Sequence, residues 1–305
     1  MLAPRRFLPS ISSLLALEAV ARLGTATAAA EELSLTHSAV SRQLKVLEEQ
    51  LGTALFERRG HGLALTLSGK DYANSVRDCL EKLARASLRI KANHKGGSLS
   101  LATLPAFGTH WLAPKLKQFS EESPDVTVNL GTRLGFFDFN REQFDAAIHF
   151  GARDWQGVDY LELAREQVVP VCSPNLFART PTAAEHLLEL PLLHLESRPG
   201  AWEDWFEHHD CSAGKLHGML FDQFSTMAEA AALGFGVALL PEFIATRAVT
   251  QGRLVRAFGK PMELPHRYYL VWPKSIAPRA PLVRLVNWLS ETTGSELPVS
   301  FSRVE

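Results

Sequence analysis

Cysteine is scarce in this 305-residue chain: Cys79, Cys172 and Cys211 stand far apart and form no CxxC pair. That spacing argues against a disulfide framework and against a structural zinc site, and fits reduced thiols. No run of eighteen apolar residues occurs, so no transmembrane helix is expected. GxSxG, HExxH and P-loop patterns are missing, which leaves catalysis without a visible apparatus. There is no internal repeat and no low-complexity stretch. Apolar residues make up 46% and charged residues 21% of the chain, ordinary for a globular protein, which excludes wholesale disorder. At roughly 100–200 residues per domain, the length implies two or three folded units.

Net charge is also nearly absent, at −1, but it is unevenly divided. Residues 1–95 carry 14 Lys and Arg against 9 Asp and Glu, or +5, leaving 18 against 24, or −6, for the remainder. A basic N-terminal piece on an acidic body points to a polyanion-binding module joined to a domain with another task. The N-terminus superficially imitates a secretory signal, with Arg5-Arg6, then Phe7 to Ala21, then Ala26-Thr27-Ala28. Glu18 and Arg22 interrupt it. The same stretch places Ile11, Leu14 or Leu15, Leu17 or Glu18, and Ala21 at helical spacing after Pro9-Ser10, and an amphipathic helix to about Gly24 is the reading adopted.

Two further helices are expected, Ala26 to Leu33 and His37 to Gln50, separated by the tight turn Ser34-Leu35-Thr36, with Thr36 as cap and Gly52 as stop. Val40, Leu44, Leu47 and Leu51 form the buried stripe of the third helix. Ser38, Ser41, Arg42 and Lys45 form an exposed one. Hydroxyls and a guanidinium on one face, with basic groups near phosphates, are what a helix needs in the major groove of duplex DNA. Thr36 and His37 stand at its entrance. Leu55–Arg59 and Leu63–Leu67 are strand candidates around Gly60-His61-Gly62, so Arg58 and Arg59 sit like the cations of a wing beside the minor groove. The whole is a winged helix-turn-helix.

Ser68 and Asp71 make an Ser-x-x-Asp start for a long helix to about Asn93. Tyr72, Val76, Cys79, Leu83, Ala86 and Ile90 recur along it at heptad-like spacing, a seam for pairing with a second copy or for packing on its own domain. Dimerisation is the reading favoured here. After Gly96-Gly97-Ser98 the chain alternates strands and helices, the mark of α/β lobes. Strands are expected at Leu99–Thr103, Val126–Gly131, Ala146–His149, Val168–Cys172, Leu192–Leu195, Met219–Phe224, Gly236–Leu239 and Tyr268–Trp272. Helices are expected near Gly108–Glu121, Thr226–Leu233, Pro241–Val249 and Pro281–Thr292.

The segments Ala28–Leu33, Thr36–Glu48, Leu51–Arg58 and Leu63–Gly69 resemble the LysR-type transcriptional regulators. Leu104–Leu116, Phe144–Gly151, Pro191–Leu195 with Trp202 and Trp205, and Ala230–Leu240 are most similar to the subgroup of the glycine-cleavage activator and the β-lactamase regulator. The resemblance covers nearly the whole chain, although His37 stands where many members have Gln or Pro. It implies an α+β protein: a winged helix-turn-helix over residues 1–67, a linker and dimerisation helix over 68–95, and an effector-binding domain over 96–305. That last domain would be two Rossmann-like lobes resembling periplasmic binding proteins. Lobe I would span about 98–165 and 270–293 and lobe II about 166–269, with crossings near Glu162–Val168 and His266–Tyr269. The implied partners are promoter DNA, a small effector such as an amino acid, peptide or related metabolite, RNA polymerase, and further copies of the chain, as dimers or tetramers. A cytoplasmic location and no cofactor are expected.

Ligands of open α/β sheets bind beyond the strand carboxyl ends, near helix N-termini. Thr103-Leu104-Pro105-Ala106-Phe107 and Phe224-Ser225-Thr226 are such junctions, and they match effector-contacting junctions of similar regulators. Thr103, Ser225 and Thr226 are therefore the leading contacts, though their hydroxyls would serve equally as helix caps. His149, Phe150, His194 and Tyr269 are further candidates, with Trp202 and Phe107 as apolar wall; a lone strand histidine is also a common core residue. No arginine pair stands out to clamp a dicarboxylate. His208-His209-Asp210-Cys211 invites a metal reading but has no second cluster, and a surface loop is the plainer one. Two other classes compete: a solute-binding protein, and an enzyme working through His194, His208 or Cys211.

Overall fold

A computed structural model describes residue 4 and residues 7–59, 62–92, 97–177 and 181–298. The chain divides into two compact units, Met1–His94 and Lys95–Glu305.

In the first unit, α1 (Ile11–Leu23) starts where the Ser10 hydroxyl accepts from the Ser13 amide at 3.0 Å, and it stops at Gly24 in the left-handed region. Its buried side is Ser13, Ala16, Leu17, Ala19 and Val20, whereas Ile11 and Leu15 are exposed. Of the expected stripe, Leu17 is buried and Leu14 and Ala21 pack on the core, while Ile11 is exposed and Ser13, Ala16 and Ala19 complete the contact. The Ser13 hydroxyl donates to Gln43 Oε1 at 2.7 Å, drawing α1 onto the third helix. Within the signal-like stretch, Ala16, Leu17, Ala19, Val20 and Ala26 belong to this unit's core. α2 (Ala26–Glu32) is capped by Thr25, and Ser34 at φ 55° turns the chain toward α3 (His37–Leu51). α3 buries Val40, Leu44 and Leu47 and ends at Gly52.

β1 (Phe56–Arg59) and β2 (Gly62–Leu65) pair antiparallel, with Phe56 opposite Leu65 and Arg59 opposite Gly62. The carboxylate of Glu48, near the end of α3, accepts from the Leu55 and Phe56 amides at 2.7 and 3.1 Å and fixes the approach to the hairpin. β2 ends two residues before the expected limit. Thr66 leaves the ladder to cap α4 (Leu67–Ala92), accepting from the Gly69 amide at 3.0 Å. The cap of the long helix is therefore Thr66 and not Ser68. Gly69 is required there, since a Cβ would lie 2.0 Å from the Leu55 carbonyl oxygen.

In the second unit one mixed sheet runs β4-β3-β5-β11-β6-β9-β7-β8, with β10 also on β6. Its strands are β3 (Gly97–Thr103), β4 (Val126–Thr132), β5 (Ala146–Gly151), β6 (Val158–Cys172), β7 (Leu192–Leu195), β8 (Leu220–Phe221), β9 (Val237–Pro241), β10 (Val255–Arg256) and β11 (Met262–Pro273). β3 pairs parallel to β4 and β5 in lobe I, and β7 parallel to β8 and β9 in lobe II. The two lobes share β6 and β11, long antiparallel strands of which only the Val168–Cys172 and Tyr268–Trp272 pieces were expected. Glu162, Arg165, Glu166 and Arg267 hide the rest from an apolar-run search; Arg267 pairs with Glu162 across the strands at 2.6 Å.

In lobe I a helical segment begins at Pro105: α5 (Pro105–Phe107), a π-helical turn (Gly108–Leu112) and α6 (Ala113–Glu122). With α10 (Ala280–Thr293) it covers one face of the sheet, around Leu101, Phe119, Leu285 and Leu289. Loops cover the other face, packing Phe137, Phe139, Phe144 and Trp155 over Ala102, Ala147 and Tyr269. In lobe II, α7 (Ala201–His208), which the sequence pattern did not reveal, buries Trp202, Trp205 and Phe206 on one face. α8 (Phe224–Ala232) and α9 (Glu242–Thr250) cover the other around Met227 and Ile244. Met219–Phe224, read as one strand, yields only β8, because Phe224 already starts α8.

Candidate functional sites: a duplex-reading helix and an interlobe cavity

The first unit presents one polar helix face. Thr36 caps α3, its Oγ1 accepting from the Ala39 amide at 3.2 Å and lying 3.1 Å from the Ser38 hydroxyl. His37, Ser38, Ser41, Arg42 and Lys45 are all exposed, on the side away from Val40, Leu44 and Leu47. Lys45 has only a 3.8 Å contact to exposed Glu49, worth little in water. Three anchors hold the helix: Ser13 to Gln43, Glu48 to the hairpin, and the Thr36 cap. Behind it, Glu18 of α1 takes Arg22 and also Arg77 of α4, the latter at 3.1 Å. The β1 backbone places Arg58 and Arg59 beside the hairpin tip. Their side chains, and residues 60–61, lie outside the described residues.

Along α4 the expected seam divides. Val76 is buried and Tyr72 half-buried against the unit's own core, joined by Ala73 and Leu80. Cys79 and Leu83 are exposed, Leu83 by 49%, and Ala86 is half-buried. The Ile90 side chain lies outside the described residues.

In the second unit a cavity of about 310 Å3 opens between the lobes. Lobe I contributes Leu104, Pro105 and Phe107 from the first junction, His149 and Phe150 from the end of β5, and Phe136, Phe137 and Trp155 from the loops. Lobe II contributes Leu195, Ser197 and Arg198 beyond β7, with Gln223, Phe224 and Ser225 at the start of α8. Tyr268, on the shared strand β11, also lines it. His149 is oriented by Nε2 contacts to the Ala152 carbonyl at 2.8 Å and Asp154 at 3.0 Å. The N-cap Gln223 makes no side-chain cap bond, so the first turn of α8 offers free amides at the cavity wall.

Leu104, Pro105, Phe107, His149, Phe150 and Ser225 thus line the cavity; five other candidates do not. Thr103 is buried, its hydroxyl donating to the Leu104 carbonyl and its side chain packed on Gly108, where a Cβ would come within 2.9 Å. Thr226 is exposed and bonds back to the Gln223 carbonyl at 3.2 Å. Trp202 is in the lobe II core, its indole N–H on the Leu193 carbonyl at 2.9 Å. His194 alternates with Leu193 and Leu195, and it is Leu195 that reaches the cavity. Tyr269 packs beside His149, ring centroids 6.3 Å apart, in the layer that also holds Phe137 and Trp155, and is not itself in the cavity wall, whereas its neighbour Tyr268 is.

Residues 11–70 match the bacterial regulatory helix-turn-helix proteins of the lysR family, and residues 92–294 match the LysR substrate binding domain. The chain belongs to the LysR family. It is 37% identical over 292 residues to the HTH-type transcriptional regulator TrpI of Pseudomonas aeruginosa, spanning 94% of this chain and 98% of that one. It is 32% identical over 299 residues to the glycine cleavage system transcriptional activator of Escherichia coli, spanning 95% of each. Among solved structures, the effector domain of the regulator AmpR of Pseudomonas aeruginosa is similar at a TM-score of 0.59 and 27% identity, covering 65% of this chain and 96% of that one. These relatives are transcriptional regulators and not enzymes.

In this LysR member the segment His208–Cys211 packs against the end of α7 and the lobe II core. His209 stacks on Trp205 at 4.1 Å and bonds its carbonyl, and no metal-holding cluster occurs among the described residues. Burial pushes the Cys172 thiol up to about 12, and burial with Glu185 raises Cys211, so neither is a ready thiolate. No helix among the described residues is long and apolar enough to cross a membrane. What sequence reasoning missed is the junction after β7. Glu196-Ser197-Arg198 follows a strand carboxyl end just as Leu104-Pro105 does, and the same rule would have flagged it.

Proposed function

We propose that this protein is a cytoplasmic, sequence-specific DNA-binding regulator of transcription whose grip on promoter duplexes is set by a small metabolite bound between the lobes of its second unit. The observation that carries this reading is the exposed stripe Ser38, Ser41, Arg42 and Lys45 on a helix capped and anchored from three sides. Ser41 and Arg42 take the role of reading base edges, Lys45 and the wing arginines that of meeting phosphate. The exposed Cys79 and Leu83 side of α4 supports pairing with a second copy, which would present two reading helices to two half-sites. Tetramers and contact with RNA polymerase fit the same scheme. The effector acts by differential affinity, favouring one lobe closure over another.

The test is a binding titration on a duplex selected by the protein from a random pool. Replacing Arg42 and Lys45 together with Ala should weaken binding about 10-fold or more and reduce the slope of log K against log salt by about 2. Unchanged affinity with an unchanged slope would remove α3 from the interface.

A further inference from the structure

Two arginines reach the interlobe cavity, and they differ in what already holds them. Arg133 donates to Glu142 at 2.6 Å and to the Thr132 carbonyl at 2.7 Å, so its charge is answered. Arg198 has only one backbone bond, to Ser197 at 3.0 Å, and its buried Nε has no hydrogen-bond partner. Its guanidinium lies 3.7 Å over the Phe150 ring and 5.9 Å from Phe224, so residues of both lobes hold its plane. Among the described residues its carboxylate neighbour is Glu166, an ion pair to the Nε at 3.7 Å that is longer than a hydrogen bond and leaves the guanidinium's other donors open. Glu166 is 1% exposed and already accepts the Tyr268 hydroxyl at 2.6 Å. Burial raises the Glu166 carboxyl against the pull of Arg198 and Tyr268. The free amides of α8 face the same space. Asp222, also in the wall, is exposed and water-screened.

We propose that Arg198 is the anion-binding, specificity-determining side chain of this cavity, and that the ligand it selects is a carboxylate carrying an aromatic ring. The acid group takes the unfilled donors of Arg198 and the α8 amides. The ring packs among Phe136, Phe137 and Trp155 on the lobe I side, which supply the wide apolar wall that a small aliphatic acid would leave unfilled. The proposal rests on the reading of this cavity as the effector site.

The experiment is calorimetric titration of the full-length protein with phenylacetate, phenylpyruvate and indole-3-acetate, against the neutral amides phenylacetamide and indole-3-acetamide. Acids should bind at least about 10-fold tighter than their amides. Arg198→Gln should lower acid affinity to that of the amide, and Arg198→Lys, which keeps the charge without the planar fork, should retain part of the preference. Thermal unfolding of each variant checks that it folds. Acids and amides binding alike to the parent protein, or no acid binding at all, would overturn the ligand class. Ser225→Trp fills the cavity and should abolish acid binding. If it does not, the acids sit elsewhere and the cavity reading itself fails.

Discussion

The base-reading candidates run from Thr36 to Lys45 on one capped helix, whereas the cavity wall is gathered from segments between Leu104 and Tyr268. The difference is one of order. A helix face is fixed once the helix is packed: Val40, Leu44 and Leu47 face inward, so Ser38, Ser41, Arg42 and Lys45 must face outward. The cavity exists only where two lobes meet, and its geometry follows the shared strands β6 and β11. A face fixed by one packed helix suits the recognition proposed for it. A ligand that bridges two lobes can shift an equilibrium between their arrangements, which is the switching proposed for the cavity.

Each half of that contrast is open to a break of its own. The largest effect is expected from Gly69→Ala, which drives a Cβ into the Leu55 carbonyl between the hairpin and α4. It should destabilise the first unit by ~3 kcal/mol and leave the second untouched. Calorimetric unfolding should show one transition lowered and the other unmoved; equal lowering of both would mean that the units unfold together. Thr66→Val removes the cap of α4 at the same junction and should cost the first unit about 1 kcal/mol, read by the same scan.

A finer contrast lies in two carboxyls, half-buried Glu18 and buried Glu166, whose pKa values shift in opposite directions. At Glu18 burial raises the carboxyl, but Arg22 and Arg77 prevail and hold it below its ordinary value of 4.5. Its stabilising share is therefore present above pH 4.5 and fades as pH falls through the lower folded value. At Glu166 burial prevails over Arg198 and Tyr268, and the carboxyl is raised above 4.5. Its share is full below pH 4.5 and fades as pH rises through the higher folded value. Melting scans from pH 4 to 8 should show Glu166→Gln flattening the pH dependence of the second unit alone. A flattened first unit instead would reverse the assignment.

Much of this was legible in the sequence where structure is local. The α3 faces, the Thr36 cap, the Gly24 and Gly52 stops and the hairpin follow from spacing and turn chemistry. In α1 the helical spacing found Leu14, Leu17 and Ala21 but not Ser13 and Ala16, small buried residues that an apolar stripe does not mark. Charges along β6 and β11 hid strands whose polar residues pair with each other across the sheet. In the cavity the junction rule found Leu104, Pro105 and Ser225. It could not tell Tyr268 from Tyr269, because one step along a strand reverses the face, nor foresee that the Thr103 hydroxyl donates to the Leu104 carbonyl.

The most direct test of the account is a double dissociation in one experiment. Arg42→Ala with Lys45→Ala, and separately Ser225→Trp, are each measured for DNA affinity without ligand and for thermal stabilisation by the tightest-binding acid of the titration panel. The account predicts that the helix variant loses DNA affinity and keeps the ligand shift, which for the parent is ~2.7 kcal/mol at one hundred times the dissociation constant. The cavity variant should keep its DNA affinity and lose the shift. A helix variant that binds DNA as the parent does, or a cavity variant that still responds to ligand, would contradict it.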